Sequence, residues 1–245
     1  MTVERPRVAV FRPDDDRLAA ARSLLADLGA EAVTDPMLAV EPTGERPQDA
    51  DYAVFTSKTG AELAADADWT PGTATVVAIG PKTADALETA GYAVDLVPEA
   101  FSSTGLVDLL APRVGDATVE VARSDHGSPV LLDGLRDAGA AVHETVLYRL
   151  VRPEGAGESA TLAADGALDA ACFTSSLTVE HFLDAAAERG IRADAVGGLN
   201  DAVVGVIGEP TRETAEGETI TVDVVPAEAT FEALARETVA RLDSR

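Results

Sequence analysis

Lysine is nearly missing from this chain of 245 residues: Lys58 and Lys82 are the only two among 19 basic residues, and 43 acidic residues set the formal net charge at −24. Aromatic residues make up 4%, and Cys172 is the only cysteine. One cysteine excludes an intrachain disulfide and a cysteine-based metal centre, so Cys172 reads as a small buried core residue. A surface of this charge repels phosphate backbones, which excludes a nucleic-acid partner. No apolar run approaches the ~20 residues of a membrane span. The charged start, Met1 to Arg7, with only a short apolar run behind it, lacks the pattern of a secretory signal. These absences place the chain in the cytoplasm and off the membrane. Scarce lysine with excess acid reads as a solubility adaptation to high salt; an ordinary acidic protein is the alternative.

Hydrophobic residues supply 46% of the chain, which excludes disorder and suffices for one large domain or two smaller ones. Short β-branched runs alternate with Ala/Leu-rich segments of helical period, the pattern of an α/β fold with parallel sheets. Strands are expected at 7–11, 51–55, 75–79, 93–97, 118–122, 170–173, 203–207 and 219–224. The first helix is expected over 14–28, with Asp14 as its cap, Leu18, Ala21, Leu25 and Leu28 on one face, and Gly29 as its stop. Further helices are expected near 59–66, 82–90, 103–113, 128–138, 176–189, 210–216 and 228–242. Residues 32–40 and 142–151 look extended and run into turn-rich segments, so they read as linker strands. They divide the chain into a discontinuous lobe, 1–38 with 150–245, and an inserted lobe, 41–145. A tandem split at one linker is the alternative.

An internal repeat relates the two lobes. Phe55-Thr56-Ser57 matches Phe173-Thr174-Ser175, and Ile79-Gly80-Pro81-Lys82-Thr83 matches Ile207-Gly208-Glu209-Pro210-Thr211. In both copies Thr follows Gly by three positions, and a proline, Pro98 or Pro226, follows that Thr by fifteen. In an open parallel sheet ligands bind beyond the carboxyl ends of the strands. Ser57, Ser175 and Ser176 fall there, as do Gly80 and Gly208 with Thr83 and Thr211 in the next helical turn. A glycine turn opening a helix leaves N–H groups that suit phosphate or carboxylate. Taken singly, each hydroxyl reads first as a helix cap; four such ends together point to a site for a large polyanion. His126, His143 and His181 have no partner at metal-ligand spacing and read as surface or helix residues. Gly-x-Gly-x-x-Gly, Walker and Gly-x-Ser-x-Gly patterns are missing, so nucleotide binding and triad hydrolysis lose support. Tyr148, in the second linker strand, reads either as a hydrogen-bond or proton donor or as an amphipathic residue packed at a hinge.

These residues in this order resemble the uroporphyrinogen-III synthase family across nearly the whole chain. The likeness rests on Arg12-Pro13, the two Phe-Thr-Ser copies, Ile79 to Ala84, Pro98 with Phe101-Ser102-Ser103-Thr104-Gly105-Leu106, Val146-Leu147-Tyr148-Arg149, Ile207 to Thr211, and Pro226 to Thr230. It implies a monomeric enzyme without cofactor, built of two flavodoxin-like or Rossmann-like lobes with parallel sheets joined by a two-strand linker. It implies cyclisation of hydroxymethylbilane to uroporphyrinogen III, with loss of water and inversion of ring D, through an azafulvene and a spiro intermediate. By position, Tyr148 corresponds to a tyrosine assisting hydroxyl departure. Ser57, Thr83, Ser102, Ser103, Ser175, Ser176 and Thr211 correspond to contacts with a substrate rich in carboxylates. Arg12 and Lys58 join them on charge grounds. Glu209 departs from the family pattern by placing an acid beside an anion site. A non-catalytic two-lobed module binding a small anion is the alternative function.

Overall fold

The computed structural model describes residues 5–13 and 16–244, so Asp14 and its expected capping role lie outside the described residues. The chain forms two compact units, Met1–Ala39 with Val151–Arg245, and Val40–Leu150. In chain order the elements are β1 (Arg7–Val10), α1 (Asp16–Asp27), β2 (Glu31–Thr34), β3 (Ala39–Pro42), β4 (Tyr52–Phe55), α2 (Lys58–Asp66), β5 (Thr75–Ala78) and α3 (Pro81–Thr89). Next come α4 (Ser103–Leu110), β6 (Thr118–Ser124), α5 (Pro129–Asp137), β7 (Ala141–Val151) and α6 (Glu158–Ala164). The chain closes with β8 (Ala170–Phe173), α7 (Ser176–Glu188), α8 (Arg192–Asp201), β9 (Val203–Val206), α9 (Glu209–Gly217) and α10 (Phe231–Leu242). The α/β reading with two parallel-sheeted lobes holds.

The discontinuous unit carries a sheet ordered β2-β1-β8-β9, all parallel. Side chains alternate across it, as a period of two requires. Val8, Val10, Ala170, Cys172 and Val203 face α1 and α10, where they meet Leu18, Leu25, Leu234 and Val239. Ala9, Phe11, Ala171, Phe173, Val204 and Val206 face the opposite layer, where they meet Phe182, Leu183 and Leu199. Phe11 stacks on Phe173 at 4.4 Å, and the edge of Phe182 meets both rings. Burial pushes the Cys172 thiol up to about 12, in keeping with an inert core residue.

The other unit carries a sheet ordered β3-β7-β6-β4-β5, in which β5, β4, β6 and β7 pair in parallel. Phe55, Trp69, Ala61 and Leu87 fill one face, and Val54, Val77, Leu106, Leu131 and Leu135 fill the other. In each sheet successive strands run toward opposite edges, β1 to β2 against β8 to β9, and β4 to β5 against β6 to β7. The order therefore reverses between β1 and β8 in one unit and between β4 and β6 in the other, the two places where such folds bind ligands.

Four expectations are corrected. Residues 93–97 and 219–224 are not strands; each makes one bridge, Val77 to Leu96 and Gly205 to Val224. The cause is the same in both copies: the Asp95 carboxylate accepts from the Val76 N–H at 2.8 Å, and the Asp223 carboxylate from the Val204 N–H at 3.0 Å. A side chain thus takes the place of a ladder rung, and the prolines behind end the pairing. Helices α6 and α8 are not expected from the sequence: α6 is only 7 residues long, and in α8 Gly197 and Gly198 argue against helix. Gly198 instead packs on the α6 backbone, where a Cβ would fall 2.5 Å from the Ala163 carbonyl carbon. Residues 32–40 are not one linker strand, since β2 belongs to the first sheet and Asp35 to Leu38 separate it from β3. Residues 142–151 fall within β7, whose residues 141–148 pair with β6.

Asp51 fastens the start of β4 to that of β6. Its carboxylate accepts from the Thr118 N–H and hydroxyl, both at 2.8 Å, while its own N–H donates to the Thr118 hydroxyl at 3.0 Å. The Thr118 N–H, with the hydroxyl next, holds the Asp51 carboxyl below the usual carboxylate range. The stability it contributes is therefore complete above pH ~4 and is lost as pH falls through the lowered folded value. Asp51→Asn is expected to flatten the decline of the melting temperature between about pH 5 and 3; an unchanged acid profile would remove Asp51 from this role.

Candidate functional site

Ser57 lies two residues past β4 and caps α2 in extended backbone, its Oγ accepting from the Gly60 N–H at 2.9 Å. Tyr148 reaches the same oxygen from β7. Pairing with β6 runs from Arg123 opposite Val146 directly to Ser124 opposite Tyr148, leaving Leu147 as an extra residue. This bulge sends the successive side chains Leu147 and Tyr148 into one cluster with Phe55 and Trp69, where regular alternation would have parted them. Tyr148 is 7% exposed, and its hydroxyl donates to Ser57 Oγ at 3.0 Å. Two residues 91 positions apart in sequence are thus joined beside the β4–β6 reversal.

Asp125 and His126 stand at the same end, just past β6. The Asp125 N–H donates to the Tyr148 carbonyl at 3.3 Å, and its carboxylate takes the Leu150 N–H at 3.1 Å and His126 Nδ1 at 2.7 Å. Burial works to raise the Asp125 carboxyl, but the His126 hydrogen bond and the Leu150 N–H outweigh it and hold the group below the usual range. His126 keeps its reading as a surface residue without metal-ligand partners, its side chain 43% exposed, and it stands beside an acid at the carboxyl end of a strand. His143 is half-exposed and His181 lies in α7, as the sequence suggests, and each has a polar partner at Nδ1. His143 Nδ1 meets the fully buried Glu120 at 2.6 Å, and His181 Nδ1 meets the Met37 carbonyl at 2.5 Å.

The four helix starts singled out by the repeat divide into two kinds. Ser57 and Ser175 cap α2 and α7, whereas Gly80 and Gly208 open α3 and α9 without any side-chain cap and with Pro81 and Pro210 in the first turn. Polar contact with an anion at α3 and α9 therefore falls to the backbone. Thr83 and Thr211, expected to face substrate, are 4% and 3% exposed. The Phe101 side chain lies over Gly80, whose Cβ position is 3.3 Å from Phe101 Cβ, and is itself 61% exposed. Ser102 caps α4 through the Gly105 N–H at 3.0 Å, and Ser103 is the first residue of that helix. Lys58 and Lys82, the only lysines, both line one groove of about 560 Å³ between α2 and α3, with Glu62, Asp66 and Asp85. Lys58 pairs with Glu62 at 3.2 Å.

In the discontinuous unit, Arg12 follows β1 and Ser175 follows β8, the two strands at the reversal. Arg12 sits 4.9 Å from the centre of the Phe231 ring, a cation–π contact. Ser175 and Thr178 close a capping box. The Ser176 hydroxyl donates to the Pro210 carbonyl at 3.1 Å and accepts from Thr214 at 2.8 Å, fastening α7 to α9. Glu209 turns along its helix toward Arg212 at 3.5 Å, with its side chain 63% exposed. The structure thus joins Tyr148 directly to Ser57, collects both lysines nearby, and places Arg12, Ser175, Ser176 and Thr211 in the other unit. Among the described residues no cluster of three or more acidic, histidine or cysteine side chains could hold a metal ion, and no helix is long and apolar enough to cross a membrane.

Comparison with known proteins bears on the fold and the family. The family model described as uroporphyrinogen-III synthase HemD matches residues 19–236. A protein of Methanothermobacter thermautotrophicus that carries the provisional name uroporphyrinogen-III synthase is 31% identical over 231 residues, covering 87% of this chain and 90% of its own. The fold matches a crystal structure of a mutant uroporphyrinogen III synthase from the extremely thermophilic bacterium Thermus thermophilus, with 21% identity, a TM-score of 0.69 and coverage of 98% and 100% of the two chains. It also matches uroporphyrinogen-III synthetase from Helicobacter pylori, with 15% identity, a TM-score of 0.63 and coverage of 99% and 100%. The match spans both units and most of the chain, and on it this chain belongs to the uroporphyrinogen-III synthase family.

Proposed function

We propose that this chain cyclises hydroxymethylbilane to uroporphyrinogen III, releasing water and inverting ring D, as a monomer in the cytoplasm and without a cofactor or nucleic-acid partner. The observation that carries the assignment of a site is the Tyr148–Ser57 hydrogen bond at the β4–β6 reversal, with both lysines of a lysine-poor chain collected on the neighbouring helices. In this reading Lys58, Ser102, Ser103 and the open turn at Gly80 receive substrate carboxylates in one unit. Arg12, Ser175, Ser176 and the turn at Gly208 do so in the other. Thr83 and Thr211 set the shape of the two glycine turns from beneath, since both are buried. The azafulvene forms once the hydroxyl leaves, so the protein's main task is to hold the chain for inverted closure ahead of spontaneous closure to the I isomer, a contribution of positioning.

Incubation with hydroxymethylbilane, oxidation and separation of the uroporphyrin isomers tests the assignment. The III isomer, formed faster than the spontaneous background, is expected. Only the I isomer at the spontaneous rate would leave a non-catalytic anion-binding module in its place.

The charge bears on the same site. We read the net charge of −24 as adaptation to high salt, where the Debye length is ~3 Å at 1 M and the distant acidic surface barely opposes an anionic substrate. Activity and melting temperature are both expected to rise from about 0.1 M to about 2 M KCl; indifference to salt across that range would overturn this reading.

A further inference from the structure

The two Phe-Thr-Ser copies place the same serine at the same point of the fold, and their surroundings differ in one respect. Ser175 sits in a closed capping box: its Oγ accepts from the Thr178 N–H at 3.3 Å, and its own N–H donates to the Thr178 hydroxyl oxygen at 3.3 Å. Ser57 Oγ accepts twice, from the Gly60 N–H at 2.9 Å and from the Tyr148 hydroxyl at 3.0 Å. A serine hydroxyl has two lone pairs and one proton. With the more acidic Tyr148 phenol as donor, both lone pairs of Ser57 are occupied, and among the described residues no acceptor takes its proton. The O–H bond is therefore directed away from the protein groups that hold the oxygen. Ser57 is only half-buried, while Tyr148 is 7% exposed and its own proton is committed to Ser57.

We infer that Ser57 is the catalytic proton donor to the departing hydroxyl and that Tyr148 acts through it as a positioning and proton-supplying residue. This rests on the cyclisation proposed above. As the C–O bond of the hydroxymethyl group breaks, its electron pair leaves with the oxygen, and the Ser57 proton converts that oxygen to water. The pyrrole nitrogen pair fills the exocyclic carbon, giving a protonated azafulvene. The Tyr148 proton moves to Ser57 Oγ in the same step, so no alkoxide forms on serine; the phenolate then recovers the proton lost from the pyrrole N–H, through solvent. The balance is one bilane to one azafulvene and one water, with both side chains restored. A phenol is a far stronger acid than an alkyl hydroxyl, which is why the serine needs the tyrosine behind it. Ser175, with no phenol feeding it, is left a cap.

Four variants test this: Ser57→Gly, Ser57→Thr, Tyr148→Phe, and the double variant Ser57→Gly/Tyr148→Phe. Glycine is tolerated as an N-cap, so Ser57→Gly should keep its melting temperature near that of the parent. It is expected to lose about 100-fold in kcat with KM changed less than about twofold, and Ser57→Thr should recover most of the rate. Tyr148→Phe should lose nearly as much as Ser57→Gly, about 30- to 100-fold, and keep some preference for the III isomer. The double variant should be no slower than Ser57→Gly alone, since residues acting as a unit are not additive. A Tyr148→Phe loss larger than that of Ser57→Gly, or losses that multiply in the double variant, would show the phenol reaching substrate by itself and overturn the inference. If the unaltered protein forms only the I isomer at the spontaneous rate, the parent reading fails and takes this one with it.

Discussion

Asp35→Ala is expected to destabilise the discontinuous unit by about 3–5 kcal/mol, enough to lower its melting temperature by roughly 6–20 °C. Asp35 follows β2 and is 5% exposed. Its carboxylate accepts from the Gly157 N–H at 2.9 and 3.1 Å, the Ser159 N–H at 2.8 Å and the Ser159 hydroxyl at 2.5 Å. Those donors open α6, whose own N-cap is Gly157, with no side chain and a φ of 112°. Asp35 thus supplies across the fold the cap that the local sequence lacks, and its charge is favourable at a helix N-terminus. Alanine leaves these buried donors without partners, the costly side of hydrogen-bond removal. Arg152 and Arg189 hold the same segment through the Ala156 carbonyl at 3.3 and 3.0 Å, so the damage should stay local. Trp69, the only tryptophan, belongs to the other unit and reports on it separately. The expected signature is a circular-dichroism transition that shifts well ahead of the tryptophan fluorescence transition. A shift equivalent to less than about 1 kcal/mol would mean that Asp35 does not hold α6.

Asp35 also shows where a sequence stops being legible. Six strands (β1, β4, β5, β6, β8 and β9), their parallel pairing and the paired motifs were readable because each depends on local period and on residues that recur at fixed spacing. The repeat proves deeper than the spacing showed, extending to Asp95 and Asp223, each twelve positions after its threonine and each replacing a ladder rung. What escaped was set by tertiary context. Helix α8 carries two adjacent glycines that count against it, and only its packing on α6 gives Gly198 a purpose. The Tyr148–Ser57 bond depends on a bulge at Leu147 that no pattern within β7 announces. Thr83 and Thr211 were rightly placed in the first turn of their helices, but whether a first-turn side chain faces ligand or core is decided by what packs above it. Asp125 and His126 are adjacent in sequence; their significance comes from the Tyr148 and Leu150 backbone groups that Asp125 holds.

Gly105→Ala is expected to destabilise the unit of residues 40–150 by about 3 kcal/mol and to raise KM for the bilane. Gly105 sits in the first turn of α4, and its N–H is the one that Ser102 caps. A Cβ there would fall 2.9 Å from the Ala100 carbonyl carbon and 3.0 Å from Ala100 Cβ, and closer still to the carbonyl oxygen. These are backbone-fixed atoms that cannot rotate aside. Either α4 must lift, exposing Leu106 and Leu110 from a fully buried cluster with Leu131 and Leu135, or the segment around Ala100 must move. The second route displaces Phe101 and Ser102 from beside Gly80, which is why binding should weaken along with stability. Gly197→Ala is the internal control. No atom lies within 4 Å of its Cβ position, and it sits inside α8. There the added methyl meets open space, and the better helix former should stabilise its own unit by up to about 1 kcal/mol. The same chemical change is therefore expected to act with opposite sign at the two positions. The Trp69 transition should fall by roughly 6–12 °C for Gly105→Ala and stay unmoved for Gly197→Ala. A Gly105→Ala protein as stable as the parent would mean that the Phe-Ser-Ser-Thr-Gly run owes its glycine to something other than the close approach to Ala100.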